Sequence, residues 1–276
     1  MNRKYNFDEK EVIESYLSGK SVIDLTKYYK CSQTPIREIL IKNNVKVHDY
    51  STFQRKLNGY TLNETVFDEL NEYSEYWLGF LMADGNVDST SNAIKIKLKS
   101  SDIDHLIKFK TFVNGNHNIR SDNTEKHFGS VFSFSSKYIK NVLINYGITP
   151  RKSKTAIACK SLVNSKHFWR GVVDGDGYLG FVFKNKKLYL SFKLVSGSSD
   201  LINQFIQFVK LNLDIDLKLK QQDFSKYKKN GSILYSAAST YSKAVTLINF
   251  LYKDAKVYLD RKFKLAESVF NSDLTK

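Results

Sequence analysis

A chain of 276 residues, 42% hydrophobic and 26% charged, holds enough apolar material for one large domain or two to three small ones, which excludes a disordered or fibrous protein. Its charge is one-sided: 43 Lys+Arg against 28 Asp+Glu leaves +15, an excess that usually meets nucleic acid or an anionic membrane surface. No apolar run has the length of a spanning helix, the start Met1-Asn2-Arg3-Lys4 lacks a signal core, and Cys31 and Cys159 are too few for a disulfide scaffold or a thiolate zinc site.

The first fifty residues read as three short helices. Asp8 caps a helix from about Glu9 to Leu17, which Ser18-Gly19 stops. Ser21 caps a second from Val22 to about Tyr29, with Val22, Leu25, Tyr28 and Tyr29 at core spacing. After a turn at Lys30-Cys31, Ser32-Gln33-Thr34-Pro35 opens a third helix, since proline is tolerated in a first turn. Ile36, Ile39 and Leu40 form its apolar stripe, and it ends near Asn43-Asn44. With Gln33, Thr34 and Arg37 facing away from that stripe, the pattern is a helix-turn-helix, and those three are candidate DNA contacts. The alternative is a three-helix bundle that binds nothing. Residues 49–72 lose clear periodicity and read as a basic linker.

Two later stretches nearly repeat. Tyr76-Trp77-Leu78-Gly79-Phe80-Leu81-Met82-Ala83-Asp84-Gly85 and Phe168-Trp169-Arg170-Gly171-Val172-Val173-Asp174-Gly175-Asp176-Gly177 each place an aromatic and a Trp before a Gly, apolar residues, a small residue and Asp-Gly. The chain's only two tryptophans match, and matched pairs lie 92 positions apart (77 and 169, 84 and 176). Two apolar helices that end in a carboxylate suggest a pseudo-symmetric protein whose acids meet on its axis. Gly79 and Ala83, with Gly171 and Gly175, recur four apart on one helix face, so the two backbones can pack closely. Gly85 and Gly177 suit a left-handed residue that ends a helix. Asp84 and Asp176 then share two helix C-termini, where the dipole disfavours negative charge, so they call for cations. No histidine pair has metal-ligand spacing, which leaves hard divalent ions with oxygen ligands.

Each repeated helix leads into strands. Ile94, Ile96 and Leu98 alternate with Lys95, Lys97 and Lys99, and a three-lysine face points to an anionic partner. Asp102 to Val113 reads as a helix. In the second half, Tyr178 to Phe183 is a strand and Lys184-Asn185-Lys186 a turn; Leu188, Leu190, Phe192 and Leu194 then alternate with Lys187, Tyr189, Ser191 and Lys193. Asp200 to Leu211 is an amphipathic helix, strands follow at Asp216–Lys220 and Ser232–Ala237, and Ser242 to Leu251 closes the unit. The expected fold is α+β, with the order α-β-β-α-β-β-α occurring twice.

The segments Trp77–Gly85 and Trp169–Gly177 resemble the LAGLIDADG motif of homing endonucleases in its single-chain, two-motif form, over about Tyr73 to Val269. The N-terminal helices are similar to modules fused to such enzymes. Gly147-Ile148-Thr149-Pro150-Arg151-Lys152-Ser153 and Tyr258-Leu259-Asp260-Arg261-Lys262-Phe263 each carry an Arg-Lys pair where the family has a basic residue beside its active site. Met82 replaces the motif's first acid in copy one, and Arg170 stands where a small residue is usual, with a side chain expected to point away from the helix interface. The resemblance implies two pseudo-symmetric repeats that form a saddle-shaped DNA-binding sheet. It divides the chain into a helix-turn-helix domain (1–48), the linker (49–72), repeat 1 (73–158) and repeat 2 (159–276).

By the same resemblance, Asp84 and Asp176 are metal ligands, aided by the main-chain carbonyls of Ala83 and Gly175, and Mg²⁺ is the working metal with Mn²⁺ able to substitute. Lys152 and Lys262 stabilise charge on phosphate and activated water; Lys99 and Ser196 are positional candidates for orienting that water. Lys95, Lys97, Lys99, Lys187, Tyr189 and Lys193 face DNA. The implied protein is a monomeric, cytoplasmic endonuclease for a long double-stranded target, with no membrane role, encoded by a prokaryote or phage or in an organelle. A non-catalytic LAGLIDADG regulator and an intron RNA maturase are the alternatives. A recombinase would need a nucleophilic Ser or Tyr in a recognisable setting, which the sequence lacks.

Overall fold

The computed structural model describes residues 7–47, 58–123, 128–184, 186–224 and 232–270. The chain divides into two compact units, Met1–Thr61 and Leu62–Lys276.

In the first unit, α1 (Glu9–Leu17), α2 (Val22–Tyr28) and α3 (Gln33–Lys42) enclose a core of Val12, Tyr16, Val22, Leu25, Ile36, Ile39 and Leu40. Asp8 accepts from the backbone N–H groups of Lys10 and Glu11, and Ser21 forms a reciprocal capping box with Asp24, so both starts are fixed by side chains that replace missing helical acceptors. Tyr28, expected in the core, is exposed: α2 ends there, and Tyr29 turns inward against Phe7 instead. Gln33, Thr34 and Arg37 are exposed on α3, with Arg37 donating to Gln33 Oε1 at 3.5 Å.

The second unit contains the expected order twice. The first copy is α4 (Glu72–Asp84), β1 (Gly85–Val87), β2 (Ala93–Lys99), α5 (Ile103–Phe112), β3 (Arg120–Ser121), β4 (Gly129–Ser135) and α6 (Lys137–Asn145). The second is α7 (Lys166–Asp176), β5 (Gly177–Lys184), β6 (Lys187–Ser196), α8 (Ser199–Leu213), β7 (Lys220–Asp223), β8 (Ile233–Thr240) and α9 (Tyr241–Tyr252), after which α10 runs over Asp260–Phe270. Each copy forms a four-stranded antiparallel sheet of the same order, β1-β2-β4-β3 and β5-β6-β8-β7. Ile94 and Ile96 are buried while Lys95, Lys97 and Lys99 are exposed, as the two-residue period requires.

Several expectations are corrected. The linker reading 49–72 fails in its second half: Leu62 packs on the core of the second unit, Phe67 is fully buried there, and Glu64 accepts from Ser136 Oγ. Residues 48–57 lie outside the described residues. The strand expected at Asp216–Lys220 begins only at Lys220, where pairing with Ser236 starts. Ile215 and Leu217 alternate inward because they are buried, without a ladder partner. Trp77 packs on Phe109 at 4.8 Å and Trp169 on Phe205 at 5.2 Å, so each ties its helix to α5 or α8 of its own repeat.

Candidate active site

α4 and α7 pack along each other through their small residues. A Cβ on Gly79 would overlap the carbonyl oxygen of Phe168, one on Gly171 that of Tyr76, and one on Gly175 would overlap Ala83 Cβ. This contact brings the two C-terminal aspartates together: the point where a Gly175 side chain would begin lies 3.3 Å from Asp84 Oδ2. The glycines after the aspartates are not left-handed, contrary to expectation. Gly85 (φ −73°, ψ 142°) and Gly177 (φ −86°, ψ 155°) are extended, since each helix passes straight into a strand. Glycine is needed there for closeness: a Cβ on Gly85 would sit 2.6 Å from Leu81 O.

Asp84 and Asp176 are exposed, yet the protein around them removes part of the water from their carboxyls. That crowding raises the Asp84 carboxyl above its ordinary value, against the opposing pull of Lys262, Lys152 and Arg261. Burial and then the neighbouring Asp84 push Asp176 up to about 6. Two like charges held close with incomplete solvation repel, and a proton or a cation relieves them. Among the described residues no group of three His, Cys, Asp or Glu side chains gathers, so any metal would rest on these two carboxylates and on main-chain oxygens. The carbonyls of Ala83 and Gly175 belong to last helical turns, which have no partner inside the helix.

Two buried lysines flank the pair. Lys152, in a short 3-10 turn after Arg151, donates to the carbonyl of Gly85. Lys262, in the first turn of α10, donates to the carbonyls of Val173 (2.6 Å), Asp174 (2.8 Å) and Gly177 (2.5 Å). Desolvation lowers both amines, Lys262 to about 8, while Asp84 and Asp176 oppose the shift in each. Lys99 lines an open cleft of about 850 Å³ with Asp84, Lys97, Asp102 and Arg261. Ser196 does not share that cleft: it is buried and accepts from Ser198 N at 3.1 Å. Lys95 and Lys187 are exposed, and Tyr189 and Lys193 half-buried.

Sequence reading missed the frame behind the site. Asp174 is fully buried and accepts from Tyr76 Oη (2.7 Å), Tyr252 Oη (2.6 Å) and Leu259 N (2.8 Å), which fixes the approach to α10 and Lys262. His105 Nε2 meets Tyr76 Oη at 3.1 Å, and burial lowers that imidazole to about 3, so it is neutral. Arg170 does not point away. It is fully buried, lies over the Tyr76 ring, and donates to Val257 O, Leu251 O and Glu72 Oε1, joining α7 to α4. Arg261 bonds Asp102 at 3.1 Å, linking the second repeat to the first. The repeated Arg-Lys pair was the available signal for Arg261; nothing local marked the partners of Asp174.

No family model matches the sequence, and no curated protein does. Similar solved structures include LAGLIDADG proteins. "The homing endonuclease I-WcaI bound to its DNA recognition sequence" is 13% identical over 80% of this chain and 96% of its own, with a TM-score of 0.49. The I-LtrWI LAGLIDADG homing endonuclease bound to target DNA is 14% identical over 72% and 89%, at 0.48. The N-terminal LAGLIDADG domain of DUF199/WhiA is 11% identical over 72% and 92%, at 0.43. At such identities and scores, the chemistry rests on this chain's own residues.

Proposed function

We propose that the chain is a metal-dependent endonuclease for double-stranded DNA. The observation that carries this reading is the pair of crowded carboxylates, Asp84 and Asp176, at the meeting ends of two pseudo-symmetric helices, each flanked by a buried lysine. Asp84 and Asp176 would hold Mg²⁺, or Mn²⁺ in its place, with the carbonyls of Ala83 and Gly175. A bound divalent ion supplies phosphate polarisation and lowers the pKa of water at such a site. Lys152 and Lys262, fixed by carbonyl contacts, hold positive charge where a phosphodiester's negative charge builds up. Lys95, Lys97, Lys99, Lys187, Tyr189 and Lys193, on the outer sheet faces, would contact the duplex, and Gln33, Thr34 and Arg37 would add contacts from the first unit. A monomer suffices, because both aspartates come from one chain.

The non-catalytic regulator and the RNA maturase share this fold, but neither needs a paired-acid centre. Cleavage of a randomised DNA library with Mg²⁺ against EDTA tests the reading. Asp176→Asn should lower cutting by about 10³-fold or more while DNA binding persists. Undiminished Mg²⁺-dependent cutting by that variant would remove the mechanism.

A further inference from the structure

The two lysines beside the acid pair sit at matched places and are held differently. Gly85 and Gly177 are 92 positions apart, and each gives its carbonyl to one lysine, Gly85 to Lys152 and Gly177 to Lys262. Lys262 also donates to the carbonyls of Val173 (2.6 Å) and Asp174 (2.8 Å), whereas among the described residues Lys152 donates to Gly85 alone. An ammonium group has three N–H donors. All three are committed to carbonyls at Lys262, and two are left at Lys152.

The difference traces to one position of the repeat. The buried Asp174 carboxylate, held by Tyr76 and Tyr252, accepts from Leu259 N at 2.8 Å and so caps the start of α10. Lys108 and Asp102 clamp the same helix start through Asp260 (2.6 Å) and Arg261 (3.1 Å). Lys262 therefore enters the site on the first turn of a fixed helix. Met82 stands in the matched place of copy one and packs inward instead: a Cβ on Gly147 would meet its methyl at 3.8 Å. The Arg-Lys pairs lie 110 positions apart, so Thr149 matches Leu259, and its N–H turns back to Gly147 O at 3.1 Å. Lys152 follows in a 3-10 turn behind the left-handed Arg151 (φ 58°). Ser198 and Gln204 fasten the chain beyond it, at Ala156 and Ala158, so the turn is placed while the ammonium keeps free donors.

Resting on the endonuclease reading, we propose that the two lysines act differently and that the two strands are cut in a fixed order. Lys152 donates an N–H directly to the reacting phosphate or water, and its strand is cut first. Lys262 acts through charge and position alone, and its strand is cut second. The antiparallel strands of a duplex are themselves related by a two-fold axis, so a pseudo-two-fold centre offers one lysine to each. A donor aimed at charge that builds up in the transition state contributes about 10²–10³ in rate, more than a nearby charge whose donors are already taken.

The test uses the full chain and a plasmid carrying a sequence recovered by cutting the randomised library in Mg²⁺. With protein in excess, nicked circle should build up before linear product, and an end-labelled duplex identifies the strand cut first. Lys152→Met should slow that strand by about 100-fold or more and spare the other. Lys262→Met should slow only the second strand, by about tenfold or less. Lys152→Met loses a single hydrogen bond, so it decides the matter where Lys262→Met does not fold. Asp174→Asn, which keeps both lysines, should leave the first cut at the parent rate. Equal rates on the two strands, a first cut that survives Lys152→Met or falls with Asp174→Asn, or a lysine variant that slows both strands alike would overturn the proposal and leave the nuclease reading standing. A library in which nothing is cut would remove that reading and this one together.

Discussion

Gly79 and Gly171 each face the main chain of the opposite repeat: the first abuts the Phe168 carbonyl and the second the Tyr76 carbonyl, residues that are themselves 92 positions apart. The contact is reciprocal, so one substitution forces the two helices apart along their whole length. Gly171→Val should therefore destabilise the second unit by about 3 kcal/mol or more, because the clash is with backbone rather than a movable side chain. Urea unfolding monitored by Trp77 and Trp169 fluorescence measures it. A loss below about 1 kcal/mol would mean that the helices do not touch there.

Arg170 is the buried cation of the same interface, 2.9 Å from Glu72 Oε1. Removing one partner of a buried pair strands the other charge, at a cost of about 3–5 kcal/mol. Arg170→Met should show that loss, and adding Glu72→Gln should recover part of it. A double-mutant cycle with no coupling would count against the bridge.

The acid pair makes the metal-free protein pH-sensitive. Asp176 titrates at about 6 when folded, against an ordinary value of 3.8. Between those values the folded chain keeps a proton that the unfolded chain has released, so stability falls as pH rises through this window and the deficit is complete above about 6. Asp84 is shifted in the same direction. In EDTA, Asp176→Asn should melt a few degrees above the parent at pH 8, with the difference shrinking toward pH 5. Mg²⁺ should stabilise the parent at pH 8 and much less at pH 5. Equal melting of the two proteins at pH 8 would contradict the crowding of the carboxylates.

The two lysines should separate by their structural load. Lys262→Met removes three hydrogen bonds to main-chain carbonyls and should cost about 1–3 kcal/mol of stability, whereas Lys152→Met removes one and should cost less. Both variants should cut more slowly than the parent. Thermal melts beside nicking rates on plasmid DNA distinguish the two effects, and a Lys262→Met protein as stable as the parent would refute the anchoring role.

Much of this arrangement was legible in the chain because it depends on local rules. Asp8, Ser21 and the Gly-containing stops mark helix ends through backbone groups a few residues away, and Lys95, Lys97 and Lys99 follow a two-residue period that any half-buried strand must obey. The repeat itself, with its small residues four apart, is a statement about one helix face, so the paired aspartates could be named from spacing alone. Segments without local patterning misled: Leu62 to Asn71 looks like a tether, and only the burial of Phe67 shows that it belongs to the core.

What the sequence by itself determined was the inventory: two acid-tipped helices, two four-strand units, a basic surface and a short helical unit before them. The tertiary structure decided who meets whom. Asp174 lies beside Asp176 in the chain, yet its three partners are contributed by Tyr76, Tyr252 and Leu259, which are 78 to 98 residues away. Arg170 reads as an intruder in the motif until Glu72 and the carbonyls of Leu251 and Val257 surround it. Such partnerships leave no periodic trace, since a buried hydrogen bond constrains geometry across the fold and not spacing along the chain. The aspartates Asp84 and Asp176 are opposite in kind: their positions follow from a helix face, and only their strained titration needed the packed structure.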